Sequence, residues 1–226
     1  MLVSVVIRTK NEAQWIQQCL YAVALQSMEN YEIILVDNES TDLTKEIVHS
    51  FGVKILSIST ADFSYGRALN VGIEASSGKY IAIISGHCIP IDNYWLVNLI
   101  SNFRDIDVAG VYGKQEPLPD TGDFDKRDLW TTFGIERRVQ RKDYFFHNAN
   151  SMIRRSVWEH FPFDEQLNGL EDRHWAKQVI EYGYSIVYEP SASVYHHHGI
   201  HQGRDEYRAR RIVKVIEMNL SDKGKD

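Results

Sequence analysis

Short, almost unbroken apolar runs alternate with stretches whose apolar residues recur at helical spacing, and this alternation restricts the chain more than any other feature of it. The run VSVVI at 3–7 ends in the polar RTKNE, and AQWIQQCLYAVALQS follows with Trp15, Ile16, Cys19, Leu20, Val23 and Ala24 at helical spacing. YEIILVDNESTDLTKEIVHSF at 31–51 repeats the unit, with Ser40, Thr41 and Asp42 as helix-cap candidates. VKILSIS, SYGRALNVGIEAS and YIAIIS then supply a strand, a helix and a strand. Strands that are apolar throughout belong to a parallel sheet covered on both faces. The expected fold class is therefore α/β, a Rossmann-like, mostly parallel sheet flanked by helices, with ligands beyond the carboxyl ends of the strands.

The later half changes character. VAGVYGKQEPLP at 108–119 reads as a strand leading into an irregular stretch, 121–143 as a polar and partly helical excursion, and YFFHNANSMIRR at 144–155 as a return to the sheet. The pattern predicts a helix over 170–182, stopped by Gly183, and a short strand over 185–188. With 226 residues, 43% hydrophobic and 25% charged, the chain can bury a sizeable core. One domain is expected over 1–220, in a 1–115 half and a 116–200 half with a basic helix over 201–220; 221–226 reads as a disordered tail.

Several classes are disfavoured. No apolar run approaches the roughly 20 residues that cross a bilayer, and no basic leader precedes the first strand, so a cytoplasmic protein without a transmembrane segment is expected. Cys19 and Cys88 form neither a disulfide framework nor a CxxC metal site. A net charge of −6 argues against nucleic acid as a partner. The basic helix at 207–218 carries Ile212, Val213 and Ile216 on an apolar face, which suits docking on its own domain, a homodimer, a fused partner or the inner face of a membrane.

Four stretches, VSVVIRTKNEAQWIQQCLYAVALQS, YEIILVDNESTDLTKEIV, GRALNVGIEASSGKYIAIISGHCIP and NGLEDRHWAKQVIEYGY, stand in an order and spacing that resembles the inverting family 2 glycosyltransferases of the GT-A fold. The resemblance covers roughly 3–200. It implies a nucleotide-diphosphate sugar donor and a glycan or lipid-linked hydroxyl acceptor, in bacterial polysaccharide or surface-glycan biosynthesis. A donor of that kind needs a carboxylate for base or ribose and cations for phosphate. Asp37, at the end of the second strand, is either that carboxylate or a turn cap. The resemblance brings Thr9 and Glu12 to the nucleotide, and Arg67, with Asn70 on the same helix face, to the diphosphate. Arg8, where the family often has proline, is a phosphate contact or a solvated arginine.

In the resembled family the fourth strand ends in an Asp-x-Asp pair that holds a divalent metal, Mn²⁺ or Mg²⁺. Here Ser85 and His87 occupy those places. Either His87 joins a site of softer character, or it bonds the donor without metal. The family also offers a late histidine to the metal, and alternation along YHHHG would point His196 and His198 to one side and His197 to the other. The resemblance assigns the general base to Asp172 and an acceptor or orienting role to Glu171, where the residues alone allow helix-start acids. It places Asn148 and Asn150 on the acceptor side; Trp175 is a sugar-stacking face or plain core. Two other functions compete. A sugar nucleotidyltransferase would need an early glycine-rich loop, which VIRTKNEAQW lacks, and an inactive donor-binding module would explain Ser85 and His87 but not the retained acid pair.

Overall fold

A computed structural model describes residues 2–167 and 169–199. The basic helix and tail expected beyond 200 lie outside the described residues. Nine strands, β1 Val3–Thr9, β2 Tyr31–Asp37, β3 Lys54–Ser57, β4 Tyr80–Ser85, β5 Cys88–Pro90, β6 Val108–Pro117, β7 Arg138–Gln140, β8 Asn150–Arg154 and β9 Ser185–His196, form one sheet. Its order is β3-β2-β1-β4-β8-β6-β9-β5, with β7 also paired to β9. The helices are α1 Ile16–Ala24, α2 Thr44–Ser50, α3 Tyr65–Glu74, α4 Trp95–Ile100, α5 Asp123–Thr132, α6 Arg155–Trp158 and α7 Glu171–Glu181.

The continuous apolar runs become strands covered on both faces, as buried β1 and β4 require. One apolar cluster packs α1, α2 and α4 on one face of the sheet through Ile16, Leu20, Val48 and Trp95. A second packs α3, α5 and α7 on the other through Leu69, Ile73, Leu129 and Trp175. Helix α3 sits so close that a Cβ at Gly72 would lie 2.5 Å from Val6 Cγ1. Ser64 caps it by accepting from Arg67 N at 3.1 Å.

The parallel pattern holds for β3, β2, β1 and β4; β8 then enters antiparallel between β4 and β6, so the sheet is mixed beyond that point. The strand expected over 144–155 begins only at Asn150. β9 is far longer than the short strand expected, because it pairs with β6 on both sides of a register shift at Gly113/Gln115. Its far end pairs antiparallel with β5, setting Cys88 opposite His196. Among the described residues, no helix is long and apolar enough to cross a membrane. Cys19 and Cys88 are buried free thiols, and burial pushes Cys19 up to about 12.

Candidate active site

A cleft of about 360 Å³ opens where β1 and β4 end, at the carboxyl edge of the parallel strands. Its floor is Arg8, Thr9, Ser85 and His87, and residues 147–149, 169, 171–172 and 196–198 complete its lining. The loop after β1 is held in place by the loop after β2. Asn11 N donates to Ser40 Oγ at 2.8 Å, Glu12 N to Thr44 Oγ1 at 2.8 Å and Ala13 N to Asp42 Oδ2 at 3.0 Å. Asn11, at φ 54°, takes the left-handed turn that this clasp needs. Glu12 is thereby aimed at the cleft floor.

There Glu12 Oε1 lies 2.7 Å from His87 Nδ1, a contact in which the carboxylate can accept from an Nδ1–H of the ring. His87 Nε2 faces His196 Nε2 at 3.1 Å. The two rings stack at 5.0 Å, and His198 lies 4.8 Å from His87 and 4.4 Å from His196 between ring centres. His196 is buried, and burial together with the neighbouring imidazoles holds it well below the usual histidine range, hence neutral. His197, just past the end of β9, instead packs its ring against Trp15, 4.7 Å between centres. The register that sets Cys88 opposite His196 is what brings these distant residues together.

Across the cleft, Glu171 and Asp172 start α7. Glu171 is buried, its Oε1 3.6 Å from Arg8 Nη1 and its Oε2 without a partner. Burial and the adjacent Asp172 charge push it up to about 7, against the pull of Arg8. Asp172 accepts from Arg173 N at 2.7 Å and from Asn148 N at 3.4 Å, and burial raises it too, against the pull of Arg173. Arg8 is no solvated arginine. Its guanidinium lies 4.9 Å over the Tyr65 ring, and its Nε and Nη1 are buried without a hydrogen bond.

Comparison with known proteins adds lineage to this geometry. The sequence profile of glycosyl transferase family 2 matches residues 4–161. The chain belongs to glycosyl transferase family 2. Its relatives include the glycosyltransferase AglE of Haloferax volcanii, 35% identical over 82% of this chain and 64% of that protein. Another is the O-antigen chain rhamnosyltransferase WbaN of Salmonella anatum, 28% identical over 82% of this chain and 62% of that one. The chain thus spans under two thirds of the length of both relatives. In fold, this family 2 chain matches a mannosyltransferase from Pyrobaculum calidifontis solved with GDP-Man and Mn²⁺, with a TM-score of 0.72 at 18% identity over 99% of this chain and 64% of that chain. It also matches S. aureus TarS solved with UDP, with a TM-score of 0.70 at 18% identity over 86% of this chain and 60% of that chain. The fold is GT-A.

Within this family 2 domain, the residues expected at the site divide. Arg8, Thr9, Glu12, Ser85, His87, Asn148, Glu171, Asp172, His196 and His198 line the cleft. Asp37 lies beneath it: Oδ2 accepts from Ser40 N at 3.0 Å, as a turn cap does, while Oδ1 is buried without a partner. Asn70, Arg67 and Asn150 are not among the residues that line the cleft. The Asn70 amide clamps the 158–165 segment, accepting from Trp158 Nε1 at 3.0 Å and donating to Phe163 O at 2.9 Å. Arg67 is half-exposed outside the cleft and pairs with Glu165 at 3.6 Å. Asn150 is buried in the sheet, accepting from Trp95 Nε1 at 2.8 Å and donating to Ala192 O at 2.8 Å. Trp175 is core, its Nε1 donating to Phe161 O at 2.8 Å. Sequence reasoning missed Trp15, Phe63, Tyr65 and His147, which also line the cleft. His147 stood beside Asn148 in FFHNAN, but nothing in that stretch told its ring from the flanking aromatics.

Proposed function

We propose that this chain is the transferase part of an inverting glycosyltransferase. It moves a sugar from a nucleoside diphosphate to a hydroxyl group of a glycan or lipid-linked acceptor, in the assembly of a bacterial surface polysaccharide. One observation carries the reading: a single cleft gathers Arg8, the three imidazoles of His87, His196 and His198, and the buried Glu171–Asp172 pair. Transfer with inversion needs these two poles. As the acceptor oxygen bonds the anomeric carbon, the bond from that carbon to the diphosphate oxygen breaks, and the acceptor proton must go to a base. In this reading Asp172 takes the proton. Glu171, beside it, orients the acceptor and resists ionisation, so that Asp172 carries the charge of the pair.

The diphosphate pole falls to Arg8, whose buried Nε and Nη1 make no hydrogen bond and whose guanidinium is suited to phosphate oxygens. A divalent cation fits the same wall, since His87 and His196 turn ring nitrogens towards each other beside His198. Held by those residues, it would supply positive charge to the departing diphosphate. Thr9, whose buried Oγ1 lacks a partner, Ser85 and the unpaired Asp37 Oδ1 beneath them are placed for the nucleoside, and Asn148 for the acceptor. Residues 1–115 then serve the donor and 116–200 the acceptor, with His196 and His198 returning from the second half to the donor side, on one shared sheet. The test is a panel of nucleotide sugars with Mn²⁺ present. Slow release of the nucleoside diphosphate from at least one sugar, lost when Arg8 is changed to Gln, is expected; no binding or turnover across the panel would overturn the reading.

A further inference from the structure

We propose that His147 reads the transferred sugar: its Nε2–H donates a hydrogen bond to a hydroxyl or other oxygen of that sugar, and Gln115 is the positioning residue that presents it. The inference deepens the reading above, and rests on it for the presence of a sugar in the cleft. His147 lines the cleft between the two poles that transfer requires. Its ring centre is 6.4 Å from that of His196, and the main-chain N of the next residue, Asn148, is 3.4 Å from Asp172 Oδ2. In an inverting transfer the anomeric carbon is shared between the departing diphosphate oxygen and the arriving acceptor oxygen, so the sugar lies between the same poles.

The fold sets the tautomer of this ring. Ala149 N donates to His147 Nδ1 at 3.3 Å, and a main-chain N–H can only donate, so Nδ1 is the acceptor and the ring proton sits on Nε2. Gln115 Nε2 lies 3.1 Å from the same Nδ1 and serves it as a second donor. That orientation leaves the buried Gln115 Oε1 without a partner among the described residues, a cost that the fold bears to hold this tautomer. Gln115 stands where the β6–β9 ladder shifts register, between Gly113 and Gln115, and Asn150 bridges the shift by donating to Lys114 O at 3.0 Å and Ala192 O at 2.8 Å. Phe133 and Phe145 flank the imidazole, their ring centres 6.4 and 6.5 Å from its own. A ring fixed in this way presents an N–H and no acceptor. It therefore selects an oxygen and disfavours a sugar that carries only hydrogen at that position.

Calorimetry with Mn²⁺ present can compare each of a panel of UDP-, GDP- and dTDP-hexoses with its bare nucleoside diphosphate. In His147→Ala the ratio of hexose-nucleotide affinity to nucleoside-diphosphate affinity should fall by roughly three- to ten-fold, and the preference among hexoses should flatten. His147→Gln, which keeps an N–H at a similar reach, should retain most of the preference, and Gln115→Leu should lose part of it with His147 intact. In the wild-type chain the ring-nitrogen magnetic resonances of His147, assigned by their absence from His147→Gln, should report the Nε2–H tautomer and shift on binding the preferred hexose nucleotide. That measurement decides the case even where His147→Ala fails to fold. A folded His147→Ala protein in which both affinities fall alike or neither falls, or an Nδ1–H tautomer in the wild type, would overturn this proposal and leave the transfer reading standing. A wild-type chain that binds none of the hexose nucleotides would overturn both.

Discussion

Arg8 lies under the cleft with its guanidinium over Tyr65 and 3.6 Å from Glu171, and two of its nitrogens are buried without a hydrogen bond. Buried donors of this kind are costly unless something accepts from them. A diphosphate would. Arg8→Gln should therefore weaken binding of the nucleoside diphosphate by roughly ten- to a hundred-fold, since hydrogen bonds to charged groups contribute about 1.5–3 kcal/mol. Calorimetry on the folded variant is the check, and unchanged affinity would return Arg8 to a purely structural partner of Glu171. Glu171 gives a pH prediction. Its folded-state value of about 7 lies above the ordinary 4.5, so the folded protein holds this proton more tightly than the unfolded chain. Stability from this group is full below about pH 4.5, falls as pH rises to about 7, and stays low above it. Melting temperatures from pH 5 to 8 should fall less for Glu171→Gln than for the wild type. A steeper fall in the variant would mean that the ion pair with Arg8 outweighs the burial.

At the scale of elements, α3 shows how a residue expected to bind a ligand can instead hold the fold. Asn70 satisfies its amide on Trp158, Phe163 and Glu165, tying α3 to the segment that leads into the acid pair. Asn70→Ala should cost about 1–3 kcal/mol by leaving Trp158 Nε1 and Phe163 N without an acceptor, and should leave nucleotide affinity near normal. Denaturant melts and calorimetry on the same protein separate the two effects. The partners of Asn70 lie about ninety positions away, so no local pattern could have named them. What could be read locally was read well: the apolar runs that became β1, β2 and β4, and the helices between them, follow from burial and periodicity alone. β9 was hidden because Pro190 and Ser191 interrupt its apolar run, yet pairing with β6 resumes past the break. The histidines of YHHHG were legible as a metal-capable set, but their meeting with His87 depends on β5–β9 register, which only the folded sheet fixes.

Over the described residues, the chain forms one mixed sheet whose parallel part ends at the cleft floor and whose later elements complete the cleft. That architecture is shared with solved glycosyltransferases at 18% identity, so the architecture is common and the chemistry rests on the side chains at the cleft. In the transfer reading Ser85 and His87 stand where the resemblance leads one to expect a metal-holding carboxylate pair, and Glu171 and Asp172 line the same cleft. A chain that had lost catalysis would have little use for two buried carboxylates side by side, each raised by burial. The most direct measurement is the initial rate of transfer by Asp172→Asn, taken with its donor affinity and its melting temperature. Asparagine keeps the shape and caps a helix about as well as aspartate, but takes no proton. The rate should drop by roughly a hundred- to ten-thousand-fold with donor affinity and stability near those of the wild type. An Asp172→Asn protein that transfers at close to the normal rate would contradict the account.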